Sequence, residues 1–216
     1  MSAKRCTWAA KNGVKNAVRV ALRFDDRAER LERIVNGSAN TNDNTIFREL
    51  LVNIKRGAIL VFDAGFNKLS IIRELVSRGY HFVSVKSKTY QVQMVKKLSL
   101  PKNREVAPQW ELIDDQLMMV GSSSNPARAR YRVLTFKHRV TKEILELFTD
   151  LFTFSPKVIF AMYHRRWRIE VIFRWLKSEF ALFLTRYPLS MRKAFGLGSF
   201  STSLPTIYSA IGISSE

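Results

Sequence analysis

The segment GAILVFDAGFNKLSIIRELVSRGYHFVSVK, residues 57–86, has the patterns of a strand, a helix and a second strand. Its first ten residues form a short apolar run with Asp63 near the end, which is typical of a buried strand carrying a carboxylate at its carboxyl end. Helical periodicity over 69–78 stops at Gly79, and glycine is a natural helix C-cap. Residues 81–86 return to an apolar strand pattern. The segment therefore predicts a mixed α/β fold.

The residues before this segment continue the same plan. Residues 17–24 and 31–35 have strand patterns, and a polar loop follows the second of them. Apolar side chains recur at helical spacing over residues 45–55. These side chains are Ile46, Leu50, Leu51 and Ile54. We therefore expect two strands and a helix ahead of the buried strand.

The pattern changes after residue 86. From about residue 87 to residue 140 the helical periodicity fades, and the turn-like GSSSNP separates two strand-like runs, 110–120 and 129–140. This pattern predicts a β-rich insertion. A long helix should follow, beginning near Ser155 with Pro156 at its first position.

These patterns divide the chain into four parts. We assign 17–86 to the N-terminal part of a core, 87–145 to the insertion, 146–193 to the C-terminal helical part of the core and 194–216 to an uncharged tail. The tail is long enough to raise the question of a membrane span, but Ser, Thr, Gly and Pro205 dilute it. We expect a terminal helix or loop packed on the core, and no membrane partner.

The composition restricts the class of protein. The 216 residues include 46% hydrophobic residues, enough for a core, and 36 Lys plus Arg against 18 Asp plus Glu give a net charge of +18. A polyanion, most often nucleic acid, is the natural partner of such a chain. The single Cys6 excludes an internal disulfide framework and a cysteine-based zinc site, and fits a reducing cytosol. No targeting segment is visible at the N-terminus.

The segment MYHRRWRIEVIFRWLKSEF, residues 162–180, contains a carboxylate among cations and aromatic residues. On a helical projection Tyr163, Arg166, Glu170 and Lys177 fall within about 60° of one another. The apolar side chains spread over the opposite half and predict a wide buried face. They are Ile169, Val171, Ile172, Phe173, Trp175, Leu176 and Phe180.

Two interpretations of Glu170 compete. It can form an ordinary surface ion pair with Arg166 four residues earlier, worth a few tenths of a kcal/mol. Alternatively, Glu170 and Asp63 together hold a divalent cation such as Mg²⁺, with waters and substrate phosphates completing the coordination. Two such ions can cleave a phosphodiester bond, and the neighbouring cations would bind the DNA backbone. An Asp at the end of a strand is also a common turn residue, so the alternative interpretation of Asp63 is a structural role in a turn.

The spacing of Tyr163, Arg166, Glu170 and Lys177 resembles the Y-R-E-K signature of the DDE transposases of the insertion-sequence-four family. RRWRIEVIFRWLK resembles the residues around that signature, and LVFDAGFNKLSIIRELVSRGYHFVSVKSK resembles the block that carries the family's second catalytic Asp. IVNGSANTNDN resembles the loop before the intervening helix. The similarity extends over about residues 17–185.

The resemblance implies a ribonuclease-H-like mixed sheet with flanking helices and a β-rich insertion before the helix of the catalytic Glu. It implies that Asp63 and Glu170 are catalytic and bind Mg²⁺ in a two-metal site. Tyr163, Arg166 and Lys177 would contact the DNA of a transposon end. The expected activity is cleavage of double-stranded DNA at transposon ends and strand transfer to a target. A homodimer on DNA, in the nucleoid of a prokaryotic cytoplasm, is the expected setting.

One departure from the family concerns its first catalytic Asp, which lies on a strand preceding the one we assign to 17–24. Residues 1–16 contain neither Asp nor Glu, and Asp25 and Asp26 follow the wrong strand. A replacement role for Asp25 is the less favoured alternative. We expect a chain truncated at its N-terminus, with an incomplete metal site, that is inactive alone. A basic DNA-binding protein without catalytic activity is the alternative, and an interaction protein whose charge is incidental is a third.

The remaining candidate residues have mostly structural interpretations. His81, His138 and His164 lack the spacing of a metal site; we expect His81 to be partly buried and His164 to lie on a helix surface. Trp110 is expected to pack in the core, although stacking on a nucleobase is the alternative. Basic residues alternate along the second strand of the insertion and could line a DNA-facing surface or keep an exposed face hydrated. They are Arg128, Arg130, Arg132, Lys137 and Arg139.

Overall fold

A computed structural model describes residues 11–12, 15–16, 18–38, 41–63, 66–168, 171–172, 174 and 208–213. Within them the strands are β1 (Lys11–Asn12), β2 (Lys15–Asn16), β3 (Val18–Asp25), β4 (Arg30–Ser38), β5 (Ile59–Phe62), β6 (His81–Val85), β7 (Val92–Lys97), β8 (Glu105–Ala107), β9 (Trp110–Val120), β10 (Ala129–His138), β11 (Ile144–Thr149) and β12 (Tyr208–Ile213). The helices are α1 (Asp43–Leu50), α2 (Leu69–Ser77) and α3 (Pro156–Arg165).

One large mixed sheet organises the molecule. Its strand order is β4-β3-β12-β5-β6-β11-β10-β9-β7, and β8 pairs with β9. Strands β5 and β6 are parallel, whereas the pairs β3–β4, β6–β11, β10–β11 and β9–β10 are antiparallel. The predicted mixed α/β class is confirmed, and the arrangement is consistent with the ribonuclease-H-like fold that the resemblance implies.

The strand–helix–strand unit from β5 to β6 follows its sequence pattern closely. All four residues of β5 are buried, as expected for a strand covered on both faces. Helix α2 buries one stripe, which comprises Leu69, Ile71, Ile72 and Leu75. Gly79 follows the helix with φ +79°, and a Cβ there would lie 2.5 Å from Nε of Arg56. The left-handed backbone after the C-cap Arg78 therefore favours glycine, whereas the exposed Arg56 side chain could move aside.

Helix α1 ends earlier than the apolar spacing over 45–55 predicts. The helix stops at Leu50, and Asn53 lies in the left-handed region at φ 63°. The buried guanidinium of Arg23, on β3, donates hydrogen bonds to the carbonyls of Leu50 at 2.5 Å and Val52 at 2.7 Å. These hydrogen bonds satisfy carbonyls that a longer helix would have used. A side chain from β3 therefore ends helix α1.

The two faces of the sheet carry separate hydrophobic clusters. Alternate residues of β5 divide between them, since Leu60 and Phe62 belong to the first cluster and Ile59 and Val61 to the second. Helices α1 and α2 pack on the first cluster. Helix α3 packs on the second through Ile159 and Phe160 (both buried). The helix of the predicted site thus lies on the opposite face of the sheet from the other two.

The predicted strands of the insertion are present. Strands β9 and β10 cover the expected runs and pair with each other from Trp110–His138 to Val120–Ala129. Strand β11 connects β10 to β6, so the strands of residues 92–138 continue the sheet of the core. The division of the chain into core, insertion and tail stays a prediction.

The tail contributes a strand to the centre of the sheet. Strand β12 lies between β3, to which it is parallel, and β5, to which it is antiparallel. The expectation of a helix or loop is therefore wrong for residues 208–213, because two strands of the core offer backbone partners that the local pattern does not reveal. None of the helices that the structure describes is long and apolar enough to cross a membrane.

Candidate active site

Asp63 occupies the predicted position at the carboxyl end of a buried strand. It directly follows β5, and its side chain is partly exposed. The turn after it is closed by the backbone, since the amide of Phe66 donates to the carbonyl of Asp63 at 3.2 Å. The partly exposed carboxylate of Asp63 therefore lies at the carboxyl end of a fully buried strand, where α/β sheets commonly bind ligands.

Helix α3 begins where the sequence predicts. Ser155 is the N-cap and accepts a hydrogen bond from the amide of Val158, and Pro156 occupies the first turn. Burial of Ile159 and Phe160 against the sheet sets the orientation of the helix. This orientation brings the carboxyl-terminal end of α3 toward the loop that follows β5.

Three of the predicted site residues lie together. Nη1 of Arg166 is 3.0 Å from Oδ2 of Asp63, and the Arg166 guanidinium lies 5.2 Å from the centre of the Tyr163 ring. The Arg166 side chain is only 13% exposed. A charge-assisted hydrogen bond in such a partly buried position holds the strand end and the helix end in one geometry.

The face of α3 that carries these residues differs from the prediction. Tyr163 packs, with Ile159 and Phe160, on the second cluster, so the polar stripe begins on the sheet-facing side and not opposite it. The expected burial of the apolar face is also wrong for Val171, which is half exposed, whereas Ile172 packs on the cluster. Val171 and Ile172 are neighbours in sequence and so face different sides of the helix, and of these two only Ile172 packs on the cluster.

Glu170 and Lys177 lie outside the residues that the structure describes. Their predicted roles, and the competing surface pair between Glu170 and Arg166, stay predictions. Among the described residues there is no group of three or more His, Cys, Asp and Glu side chains that could hold a metal ion. The Asp63 carboxylate is a hard oxygen ligand of the kind that Mg²⁺ prefers, so it fits such an ion if further oxygen ligands join it.

A second set of ion pairs ties α3 to the turn between β3 and β4. Nη1 of Arg165 is 2.8 Å from Oδ2 of Asp26, and Nη1 of Arg168 is 3.2 Å from Oδ1 of the same carboxylate. Arg168 also contacts Glu29 at 3.0 Å. The Asp26 side chain is 1% exposed. The three arginines around Trp167 thus divide between the carboxylate that follows β5 and the two carboxylates of the turn between β3 and β4, which their adjacency in sequence did not indicate.

Asp25 has a structural role in this turn. Its Oδ1 accepts hydrogen bonds from the amides of Arg27 and Ala28. Asp25 pairs with Gly212 of β12, and Gly212 pairs with Leu60, three positions before Asp63. Asp25 therefore lies toward the amino-terminal end of β5, and the structure does not bring it to Asp63 as a replacement catalytic residue would require.

Asp26→Asn is expected to lower the free energy of unfolding by about 1–3 kcal/mol, because two arginines lose a buried, charged acceptor. Glu29→Gln is the matched control, since Glu29 contacts the same Arg168 but is largely exposed. Glu29→Gln should lower the free energy of unfolding by less than about 1 kcal/mol. Urea denaturation followed by circular dichroism measures both changes. Equal effects of the two substitutions would contradict the assignment of Asp26 as the anchor of this turn.

The aromatic and histidine residues behave as structural groups. The Trp110 ring lies 5.5 Å from the Phe160 ring and 5.0 Å from the His138 ring, which confirms core packing for Trp110. His164 is exposed on α3 and stacks on Phe160, as a helix-surface residue should. His81 is partly buried at the start of β6, also as expected.

The interpretation of the basic residues along β10 is wrong for Arg132. Its side chain is buried and forms an ion pair with Asp115 of β9 at 2.6 Å. Arg130 and Arg139 are exposed, as both alternatives for this strand required. Leu134 and Phe136, the second and fourth residues after Arg132, share its side of the strand and are fully buried. That apolar continuation was the available signal that Arg132 faces the core.

Comparison with known proteins gives independent evidence on the family to which the chain belongs. The profile of the family described as "Transposase DDE domain" matches residues 2–192. The "Probable transposase for insertion sequence element IS5377" of Geobacillus stearothermophilus is 26% identical over 174 residues, covering 81% of this chain and 44% of that protein. The "Putative transposase y4zB" of Sinorhizobium fredii (strain NBRC 101917 / NGR234) is 27% identical over 179 residues, covering 82% of this chain and 48% of that protein. The chain spans about half the length of these relatives. No solved structure is significantly similar to it.

Proposed function

The chain belongs to the transposase DDE domain family, and from that premise we propose that it acts in DNA transposition through a site formed by Asp63 and Glu170. The observation that carries this proposal is the contact of Arg166 with Asp63 at 3.0 Å. It supports an approach of the helix of the Y-R-E-K spacing to the strand-end carboxylate. We further propose that the chain belongs to the insertion-sequence-four branch of the family, on the strength of that spacing.

The residues of the site have separate roles in this proposal. Asp63 and Glu170 would hold Mg²⁺, which when bound supplies the positive charge that stabilises a phosphodiester transition state. Tyr163, Arg166 and Lys177 would contact the DNA at a transposon end. Arg166 orients Asp63 through their ion pair, and its guanidinium can also bind a phosphate oxygen that enters the site.

The charge of the chain supports double-stranded DNA as the partner. A net charge of +18 favours a polyanion, and affinity that depends on phosphate contacts should fall steeply with salt. Binding of a homodimer to DNA, in the nucleoid of a prokaryotic cytoplasm, belongs to the same proposal. A DNA-binding protein without chemistry is the second candidate, and the ion pair that already neutralises Asp63 favours it.

Nicking of a supercoiled plasmid in MgCl₂ tests the proposal. We propose that the wild-type chain, which carries two of the three carboxylates that the resemblance implies, is a truncated copy with little or no activity alone. Any Mg²⁺-dependent nicking that it shows should fall at least about 100-fold in Asp63→Asn or Glu170→Gln, because each substitution removes a ligand that positions the metal. The control is Glu143→Gln, an exposed carboxylate in the turn before β11. Gel electrophoresis of the nicked form measures the rate. Salt-dependent DNA binding without nicking would favour the second candidate, and nicking unchanged in both variants would refute the site.

A further inference from the structure

A cavity of about 330 Å³ lies at the other end of β5 and β6 from Asp63. Ile59 and His81 are paired at the beginning of these parallel strands, and both line the cavity, whereas Asp63 follows the far end of β5. The rest of the lining comes from the turn before β5 and from the segment between β11 and α3. These residues are Gly57, Asp150, Leu151, Phe152, Thr153 and Phe154.

The wall of the cavity is held by a buried guanidinium. Nη1 of Arg132 donates to the carbonyls of Leu151 at 3.4 Å, Phe152 at 3.1 Å and Phe154 at 2.5 Å. The amide of Leu151 donates to Oγ1 of Thr149 at 3.1 Å. The segment therefore has no helix or strand of its own but is fixed by hydrogen bonds from the sheet, which makes the cavity preformed.

Two aromatic side chains on this fixed segment remain accessible. Phe152 is 49% exposed and Phe154 is 37% exposed. Exposed aromatic faces on a rigid wall, next to a concave surface, are typical of a site that binds a ligand by apolar or stacking contact.

A histidine–carboxylate pair supplies the polar group of the cavity. Oδ2 of Asp150 lies 2.7 Å from Nδ1 of His81, and Oδ1 of Asp150 accepts a hydrogen bond from the amide of Phe82 at 2.9 Å. The Asp150 side chain is almost fully buried. Because Nδ1 of the partly exposed His81 is engaged by this carboxylate, Nε2 is the ring nitrogen available for a hydrogen bond with a ligand.

The surroundings of the cavity are basic. Three exposed cations lie within three residues along the chain of a lining residue, and they are Lys55, Arg56 and Lys157. A fourth, Arg78, forms an ion pair with Glu74 at 2.6 Å. Asp150 is the sole carboxylate in those same stretches, and it is engaged by His81. Burial, and next the Asp150 carboxylate, raise the pKa of the nearby Tyr131 to about 12, so Tyr131 adds no negative charge at neutral pH. The rim therefore complements a polyanion.

We propose that this cavity binds an unpaired nucleobase of single-stranded DNA. The base would stack on Phe152 and Phe154, its edge would hydrogen-bond to Nε2 of His81, and flanking phosphates would contact the basic rim. Aromatic stacking combined with a cationic surround is how proteins bind single strands without reading their sequence. The site is separate from Asp63 and Glu170 and does not depend on the function proposed for them.

Fluorescence anisotropy with a labelled eight-nucleotide oligothymidylate, in buffer without divalent metal, tests the proposal on the full chain. The comparison probe is an oligomer of equal length in which every base is absent. Phe152→Ala and Phe154→Ala should each weaken binding of the oligothymidylate about tenfold, which is within the range for loss of one stacked base. Binding of the abasic oligomer should not change. Met94→Ala is the control, since Met94 is also an exposed apolar side chain, at 60%, but lies on β7.

Two results would overturn the proposal. One is unchanged binding of the oligothymidylate by both variants, and the other is an equal loss for both oligomers, which would indicate phosphate contact alone or a cavity that serves an apolar protein partner. Photocrosslinking of the wild-type chain to an oligomer containing 5-iodouracil gives a test that needs no variant. Adducts on Phe152, Phe154 or His81 are expected, and adducts confined to other segments would refute the site.

Discussion

Replacing Arg132 by methionine is expected to lower the free energy of unfolding by about 3–5 kcal/mol. The guanidinium of Arg132 donates to both carboxylate oxygens of Asp115, at 2.9 and 2.6 Å, and both side chains are buried. Methionine has a similar shape but leaves the Asp115 carboxylate buried without its counter-charge. It also removes the donor to the carbonyls of Phe152 and Phe154. Urea denaturation, with the transition midpoint and slope fitted together, measures the change.

Arg139→Met is the matched control on the same strand pair. Arg139 follows β10 and pairs with Glu105 and Glu111, but it is exposed, so the loss should stay below about 1 kcal/mol. The double variant Arg132→Met/Asp115→Leu removes both buried charges and should be more stable than Arg132→Met. Wild-type stability of Arg132→Met would show that the buried pair does not hold the segment before α3.

Removing residues 207–216 is expected to abolish cooperative unfolding. The deletion takes away β12, which pairs with residues 21–25 of β3 and residues 59–62 of β5. A backbone hydrogen bond contributes about 1 kcal/mol net, and unpaired groups left at the two exposed edges cost more. The sum is comparable with the total stability of a domain, about 5–15 kcal/mol. Near-ultraviolet circular dichroism and thermal unfolding measure the loss.

Smaller changes separate the strand from the rest of the tail. Ala210→Pro removes one amide donor in the middle of β12, where proline is not tolerated between two partner strands. It should lower the midpoint of thermal unfolding, whereas deletion of residues 214–216 alone should have little effect. A chain without residues 207–216 that unfolds with the wild-type midpoint would mean that β3 and β5 do not require β12.

Much of the fold was predictable because its signals are local. Each of these signals involves residues only a few positions apart. They are the buried run before Asp63, the amphipathic spacing of α2, the glycine at position 79 and the N-cap of α3 at Ser155. Side-chain periodicity and capping act over one or two turns, so a short window of sequence contains the information. The Y-R-E-K spacing belongs to the same class of signal.

The rest depended on residues far apart in the chain. Arg23 ends α1 by binding a carbonyl 27 positions away, Arg132 is buried because its carboxylate partner lies 17 positions away, and Arg166 meets Asp63 across 103 positions. Strand β12 takes a central place because β3 and β5 leave one open. Ion pairs and sheet hydrogen bonds of this kind are set by which distant segments pack together, and the periodicity of a single segment does not contain that information.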